Sequence, residues 1–265
     1  MNRTPKKFIR NLSEKGSREP RTTNKEHINK KTLETFEPKI VSIVLFSYFC
    51  PPIYKQIMSV DTQDKTIQYI QKASDTFLRY GFKSVTMNDI ARELGISKKT
   101  LYQFVDNKND LIIRCVAMAM KEEQEFIVSV RQQEKNAIEE MLDIAVHVNQ
   151  TLKKINPAAL YDLQKYYPDG WKIIEAYTHE YIFAHITENL ERGKKEGVYR
   201  QDVREDIIAR LFIGKAQLLL NTTLFPYPQY KTSELHSEHV IYHIRGVASN
   251  KGLKILEQHI QDAEN

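Results

Sequence analysis

The chain has 265 residues, with 39 Lys and Arg against 34 Asp and Glu, 41% hydrophobic residues, 9 Gly, 9 Pro and 2 Cys. That length allows one or two domains with a hydrophobic core, and the small number of Gly and Pro argues against a β-sandwich or β-barrel with many turns. Two Cys far apart in the sequence form no disulfide framework, which fits a reducing, cytosolic compartment, and no apolar run reaches the roughly 18 residues that a membrane-spanning helix needs.

The charge is distributed unevenly along the chain. Residues 1–57 carry 12 Lys and Arg against 5 Asp and Glu, whereas residues 115–265 carry 18 against 22. The basic excess therefore belongs to the N-terminal segment, and a polyanion could be bound by the rest of the chain only through a local basic face.

Residues 1–57 are expected to be a disordered or spurious N-terminal extension. Residues 1–39 are polar, basic and aperiodic, and the charge-free run at 40–54 is too short to span a membrane comfortably. Three interpretations remain: a membrane-touching or partner-binding segment, a basic arm that adds affinity for nucleic acid, or sequence upstream of a true start at Met58. We favour Met58, because the polar stretch that follows it leads naturally into an amphipathic helix.

Three helices are predicted next. Apolar residues at helical spacing indicate a helix over residues 65–80, which ends at Gly81. Thr86 is a good N-cap for a second helix, Gly95 ends that helix, and Ser97 is the N-cap of a third helix of about nine residues. Two short helices joined by a tight glycine-containing turn and backed by an earlier helix form a helix-turn-helix unit.

The outward face of the third helix indicates a function. Leu101 and Val105 lie one turn apart and face inward, which leaves polar and basic residues outside. Lys98 and Lys99 lie at the helix N-terminus, where the helix dipole disfavours cations. Positive charge at that end is expected if phosphates and base edges are the partner. The alternative is a solvated helix face that carries two lysines.

The whole segment strengthens the first interpretation. GFKSVTMNDIARELGISKKTLYQFVDNKNDL resembles the DNA-binding segment of the tetracycline-repressor (TetR/AcrR) family of bacterial regulators, and the strong resemblance covers roughly residues 63–114. The matching residues are Gly81, Phe82, Thr86, Ile90, Ala91, Leu94, Gly95, Ile96, Ser97, Thr100, Leu101, Tyr102, Asn107, Lys108 and Leu111.

The resemblance implies which residues contact DNA. Positions matching family residues that contact mainly the DNA backbone are Thr86, Thr100, Tyr102 and Lys108. The complete predicted DNA-binding set is Thr86, Asn88, Lys98, Lys99, Thr100, Tyr102, Gln103 and Lys108, in which Lys98, Lys99 and Gln103 are the candidates for base contacts.

The rest of the chain reads as longer helices with no competing strand pattern. They are predicted at residues 111–131, 136–155, 157–167, 171–194, 202–224 and 234–261. The predicted fold is therefore all-α. It has a three-helix helix-turn-helix DNA-binding domain at residues 58–110 and, as the resemblance implies, a larger α-helical ligand-binding and dimerisation domain at residues 111–265.

Two clusters in this second domain are candidate sites. Aromatic residues between helices suggest an effector pocket, and the alternative is an ordinary core with surface aromatics. The proposed pocket residues are Tyr161, Tyr166, Trp171, Tyr177 and Tyr181. His236, His239 and His243 share one helix face but have no Cys or acidic pair beside them. We therefore expect a polar stripe at the edge of a dimer interface and neither a metal nor another cofactor.

A homodimer is predicted from the apolar faces of the last two long helices, which would form a four-helix bundle about a two-fold axis. The first face has Ile207, Ile208, Leu211, Leu218 and Leu219; the second has Val240, Ile244 and Val247, with small residues at Gly246, Ala248, Ser249 and Gly252.

Together these features predict a cytoplasmic, homodimeric transcriptional repressor. It is expected to bind a near-palindromic double-stranded DNA operator and to be released by an unidentified small-molecule effector, with no stable membrane association. No catalytic constellation is present in the sequence, and the chain is not expected to be an enzyme. The alternatives are a ligand-independent regulator controlled by a protein partner, or a helical enzyme.

Overall fold

Three helices in the order predicted from the sequence begin the part of the chain that the computed structural model describes, residues 64–264. They are α1 (Asp64–Tyr80), α2 (Met87–Glu93) and α3 (Lys98–Leu101). The predictions made for residues 1–57 and for a start at Met58 lie outside the described residues.

Eight further helices follow, and the all-α prediction is confirmed. They are α4 (Lys108–Arg131), α5 (Ala137–Lys154), α6 (Pro157–Tyr166), α7 (Pro168–Ala176), α8 (Phe183–Lys195), α9 (Glu205–Leu218), α10 (Thr232–Val247) and α11 (Asn250–Glu264). The described residues hold no strand, only an isolated β-bridge between Tyr199 and Ala248. A six-residue π-helical segment, Tyr177–Ile182, joins α7 to α8 without a break.

The core has two hydrophobic clusters. The first combines α1–α3 with the beginning of α4 and with α6, and its buried members include Phe77, Ile90, Leu101, Ile112 and Leu163. Because this cluster draws on residues from both sides of the proposed boundary after residue 110, the division into two domains remains a proposal. The second cluster combines α5, α8, α10 and α11, with Ile138, Leu190, Tyr199, Ile244 and Leu256 at its centre.

A buried carboxylate lies inside the second cluster. Glu140 of α5 is 1% exposed, and Arg192 of α8 donates to its Oε2 atom at 2.7 Å. Asn189 donates to the other oxygen at 3.1 Å, and Tyr199 donates its hydroxyl to Asn189 at 3.0 Å. These bonds satisfy the buried charge, as a carboxylate in a hydrophobic cluster requires.

The last predicted helix is two helices in the structure. The chain turns at Ala248, whose ψ is 145°, because the backbone bonds there go to the segment before α9. Arg200 N donates to Val247 O at 2.9 Å, and Ser249 N donates to Val198 O at 2.9 Å. A continuous helix over residues 234–261 was therefore wrong, since sequence periodicity does not show this tertiary pairing.

Part of the predicted dimer face is also internal to the protomer. Val240, Ile244 and Val247 are at most 3% exposed, because they face α5 and α8 within the second cluster. Gly252 lies against Val198 O, so its missing side chain serves the packing of α11 and not a second chain. The α9 face fits the prediction better.

Three of the five residues of the α9 face are open in the protomer, whereas Ile208 packs against the second cluster and Leu219 is half-buried. Ile207, Leu211 and Leu218 of α9 are 45%, 53% and 51% exposed. Helix α9 ends at Leu218 and not at residue 224, and turns fill most of the remaining chain to α10.

Candidate nucleic-acid interface

The turn between α2 and α3 depends on a single glycine. Gly95 has φ of 66°, a left-handed conformation that favours glycine because it has no Cβ. Ile96 N then donates to Ala91 O at 3.0 Å, and Ile96 packs against the first cluster. The two helices are thereby held at a fixed angle, with α3 on the surface.

Capping interactions fix the start of each helix as the sequence predicts. Thr86 Oγ1 accepts from Asp89 N at 3.2 Å, and Asp89 accepts from Thr86 N at 2.9 Å, which completes a capping box. The Thr86 hydroxyl also donates to Asp89 Oδ2 at 2.7 Å, and this bond, together with the one from Thr86 N, lowers the pKa of the Asp89 carboxyl. Ser97 Oγ accepts from Thr100 N at 3.0 Å, and Asn107 caps α4 in the same way.

Helix α3 is shorter than predicted. Only Lys98–Leu101 is α-helical, and i→i+3 bonds from Gln103 to Thr100 and from Phe104 to Leu101 tighten the chain into a turn. The predicted nine-residue helix was wrong because the buried position of Val105 and the cap of α4 leave no room for another helical turn.

The predicted DNA-binding residues lie around this short helix. The exposed members are Thr86, Asn88, Lys98, Lys99, Tyr102 and Gln103, whereas Thr100 and Lys108 are half-buried. Neither Lys98 nor Lys99 forms an ion pair within residues 64–264, and Lys98 Nζ lies 5.9 Å from the centre of the Tyr102 ring. The surface therefore combines uncompensated positive charge with an aromatic ring and an amide.

Lys108 is held differently from the other two lysines. Its Nζ donates to Lys83 O at 3.4 Å and lies 5.4 Å from the centre of the Tyr167 ring. Its ammonium thus lies across the junction between α4 and the α1–α2 turn. An ammonium has three N–H donors, so Lys108 can donate to a phosphate while it keeps the bond to Lys83 O.

The α1–α2 turn makes a connection that the sequence did not predict. Asp162 of α6 accepts from Lys83 N at 3.0 Å, and Lys83 Nζ donates to Tyr166 OH at 3.2 Å. The latter bond lowers the pKa of Tyr166. Asn156 N donates to Leu78 O at 2.8 Å. These bonds hold the turn that precedes Thr86 to the helix pair α6–α7. The only sequence signal for this connection was a basic residue, Lys83, three positions before the N-cap Thr86.

The helix-turn-helix segment is similar to that of known bacterial regulators. Residues 70–115 match the family model described as bacterial regulatory proteins, tetR family. The chain is 25% identical over 169 residues to YvaF of Bacillus subtilis (strain 168), an uncharacterized HTH-type transcriptional regulator, covering 63% of this chain and 88% of YvaF. The helix-turn-helix segment of the chain is therefore similar to that of TetR-family regulators.

Solved structures of transcriptional regulators are similar to this chain in fold. A TetR-family regulator from Agrobacterium tumefaciens is 14% identical with a TM-score of 0.58, covering 71% of this chain and 99% of that one. A putative transcriptional regulator from Saccharomonospora viridis, solved in complex with choline, is 15% identical with a TM-score of 0.55, covering 71% and 100%.

The five proposed effector-pocket residues lie in different surroundings. Tyr161 is 49% exposed and lines a cavity. Tyr166 is 40% exposed and contacts Lys83, as described above. Trp171 packs on the first cluster, and its Nε1 donates to Glu175 at 2.9 Å.

The other two residues lie on the π-helical segment. The rings of Tyr177 and Tyr181 stack there, with centres 5.3 Å apart, and burial raises the pKa of Tyr181 to about 12. The five side chains therefore do not converge on a single cavity.

The cavity beside Tyr161 is small and uncharged. It measures about 60 Å³, far below the roughly 300 Å³ of a typical ligand pocket. Its walls come from the end of α5, from α6, from the segment between α9 and α10 and from the start of α10: Leu152, Ile155, Leu160, Tyr161, Gln164, Leu219, Leu220, Thr222, Phe225, Tyr227, Tyr230, Thr232 and Leu235. A ligand of ordinary size would have to move the segment after α9.

The histidines of α10 are internal, and the predicted stripe at a dimer edge was wrong. His239 and His243 are 6% and 3% exposed, and both rings pack on Phe212 of α9. Burial lowers the pKa of His239 to about 4 and of His243 to about 3, and Lys215 adds to both shifts. His236 bonds to Asn149 at 2.8 Å, and burial lowers its pKa to about 4.

Residues 64–264 contain neither a candidate metal site nor a candidate membrane-spanning helix. No group of three or more His, Cys, Asp or Glu there is arranged to hold a metal ion. None of the helices in residues 64–264 combines the length and hydropathy needed to cross a membrane.

Proposed function

We propose that this chain is a TetR-family regulator and a homodimeric repressor that binds a near-palindromic operator. The observation that carries the proposal is the exposed, uncompensated Lys98 and Lys99 beside Tyr102 and Gln103, presented by a capped helix-turn-helix. In a dimer the two recognition helices must lie about 34–36 Å apart to enter successive major grooves. Binding to chromosomal DNA implies a cytoplasmic location, and the proposed role requires no catalysis.

We assign the phosphate and base contacts by residue. Thr86, Thr100, Tyr102 and Lys108 position the DNA backbone, with Asn88 beside them, and Lys98, Lys99 and Gln103 read base edges. The half-buried Lys108 then donates to a phosphate with an N–H that its bond to Lys83 O leaves free.

The dimer is proposed to form through α9 and the exposed side of α10. Besides the α9 face, Tyr242 of α10 is 69% exposed. Gly214 and Gly246 have no neighbour within 4 Å of where a Cβ would lie. A mid-helix glycine costs about 1 kcal/mol relative to alanine, and close approach of a partner helix would explain both positions.

Effector release is proposed to act through α6. Leu160, Tyr161 and Gln164 line the cavity, while Asp162 and Tyr166 of the same helix bond to Lys83. A ligand that widens the cavity would move α6 and, with it, the turn that leads into α2. Derepression needs only that the ligand binds the displaced arrangement more tightly.

The DNA proposal is tested by fluorescence anisotropy on the DNA that flanks the protein's own gene. Tyr102→Ala should weaken binding to all sequences alike, whereas Gln103→Ala should relax the preference at one or two base positions by about 1–3 kcal/mol. Lys99→Met removes one exposed charge from the proposed interface. Its control is Lys254→Met, which removes one exposed charge from α11. Equal affinities for these two lysine variants would contradict the assigned interface.

Candidate effectors added to the operator complex test release. Retention of the complex with every compound, together with dissociation by a protein from cell extract, would favour the ligand-independent alternative.

A further inference from the structure

We infer that the segment between α9 and α10, residues 219–230, packs on the second copy of the chain together with Leu218 at the end of α9 and forms part of the dimer interface. The inference rests on the proposed dimer and extends it to a segment outside the four-helix bundle. Its starting point is the position of exposed apolar residues. Leu218, Leu220, Leu224, Tyr227 and Tyr230 are 51%, 37%, 54%, 61% and 39% exposed.

The segment has no charge although it lies on the surface. Residues 216–230, AQLLLNTTLFPYPQY, contain no Asp, Glu, Lys, Arg or His, and of residues 217–230 only Leu219 and Phe225 are not exposed. Ordinary surface loops carry charge, whereas the centres of protein interfaces are depleted in charge and enriched in tyrosine. The absence of cations also makes nucleic acid an unsuitable occupant.

Local bonds hold these side chains in position. Asn221 Oδ1 accepts from Thr223 N and Leu224 N, both at 3.0 Å, and Tyr230 N donates to Pro226 O at 3.1 Å. Phe225 turns inward, and its ring meets Tyr230 edge-on with centres 5.6 Å apart. One side of the segment is thus anchored on its own protomer while Leu224 and Tyr227 face outward, which lowers the entropy cost of binding a partner.

The exposed apolar area on this side of the protomer matches what a second copy of the chain would cover. With about 200 Å² for a fully exposed residue of this size, the open residues Ile207, Leu211, Leu218 and Tyr242 offer roughly 400 Å² of mainly apolar surface, against the roughly 800 Å² per partner of a standard interface. The remaining exposed residues of the segment supply roughly another 400 Å². Because the segment continues directly from the α9 face, the partner that covers α9 can cover both.

The test compares dimer dissociation constants by analytical ultracentrifugation of the full chain. Leu224→Ser/Tyr227→Ser should weaken the dimer at least 100-fold, since each substitution enters a symmetric interface twice. The matched control, Val146→Ser/Tyr80→Ser, removes side chains that are 49% and 58% exposed elsewhere and should leave the constant unchanged. Leu211→Ser measures the contribution of the α9 face, in the proposed four-helix bundle, to the dimer dissociation constant.

Hydrogen–deuterium exchange of the wild type gives a second measurement that needs no substitution. Amides of residues 219–230 should exchange more slowly above the dimer dissociation constant than below it. This inference would be overturned if Leu211→Ser weakened the dimer, Leu224→Ser/Tyr227→Ser did not, and amide exchange of residues 219–230 did not change with concentration. The proposed dimer itself would stand. A wild type that is monomeric at all concentrations would overturn the proposed dimer itself. If the lipophilic dye Nile red slowed exchange of these amides and dimerisation did not, the segment would be a ligand site, and this result would also overturn the inference.

Discussion

Replacement of Arg192 by Met should destabilise the fold by about 3 kcal/mol, since it leaves the buried Glu140 carboxylate without a cation. Arg192 is the only Lys or Arg that pairs with Glu140 in the described residues, at 2.7 Å. His185 Nε2 lies 3.5 Å away, but burial lowers its pKa to about 4, so it is neutral near pH 7. Breaking a buried pair from one side costs about 3–5 kcal/mol.

The lower end of that range applies for two structural reasons. The Arg192 side chain is 32% exposed, so water can approach the vacated position, and Asn189 still donates to Glu140 at 3.1 Å. Glu140→Gln/Arg192→Met should recover at least 1 kcal/mol of the loss, because no buried charge is left unpaired. Arg245→Met is the matched control, since its pair with Glu257 at 3.0 Å is half-exposed and is worth no more than about 1 kcal/mol.

Urea and thermal unfolding measure these differences. All variants are compared at one protein concentration, because a dimer's stability depends on concentration. For a folded region of about 200 residues, 3 kcal/mol corresponds to a fall in Tm of about 6–12 °C. If Arg192→Met were no less stable than Arg245→Met, or if the double variant recovered nothing, the reasoning about an uncompensated charge would be refuted.

Substitutions at three other sites probe a helix cap, a close approach and a buried imidazole. Thr86→Ala should lower the free energy of unfolding by about 1 kcal/mol through loss of the bond from Asp89 N, whereas Thr86→Ser should retain the cap, and equal Tm values for the two would contradict this. Gly252→Ala should cost about 1–3 kcal/mol in urea unfolding because the new Cβ overlaps Val198 O, and an unchanged midpoint would show that α11 can shift. As pH falls from about 6.5 toward 4, the wild type should lose stability, because the unfolded His243 takes up a proton that the folded imidazole, with a pKa of about 3, does not. His243→Leu should therefore reduce the slope of stability against pH by up to about 1.4 kcal/mol per unit, and parallel curves would refute the assignment.

Local signals predicted the helix-turn-helix well. These signals are the caps at Thr86 and Ser97 and the left-handed glycine at Gly95. Each depends only on residues within three or four positions, so each can be predicted from the sequence. The length of α3 was missed because it depends on competition between its own last turn and the cap of α4. The role of each exposed residue on DNA stays a prediction.

The larger half of the chain was less predictable because its packing is not local. Val247 and Gly252 have the composition of a dimer face, but the bridge between Tyr199 and Ala248 turns them into the protomer. His243 is spaced like a surface stripe, yet Phe212 covers its ring. Helical periodicity shows which residues share a face but not which neighbour covers that face.

The π-helical segment changes how the long helix from Pro168 to Lys195 can be used. Ile174 contacts the first cluster and Ile186 belongs to the second. Twelve residues apart, they would point about 120° from each other around a regular α-helix, at about 100° per residue. The one extra residue of a π turn reduces that difference to about 20°. A single-residue deletion within 177–182 would thus give a regular α-helix in which Ile174 and Ile186 still lie about 20° apart, because eleven residues at about 100° each make nearly three complete turns. An alignment gap of one residue here therefore marks a relative with a regular helix whose two halves keep the same inward-facing sides.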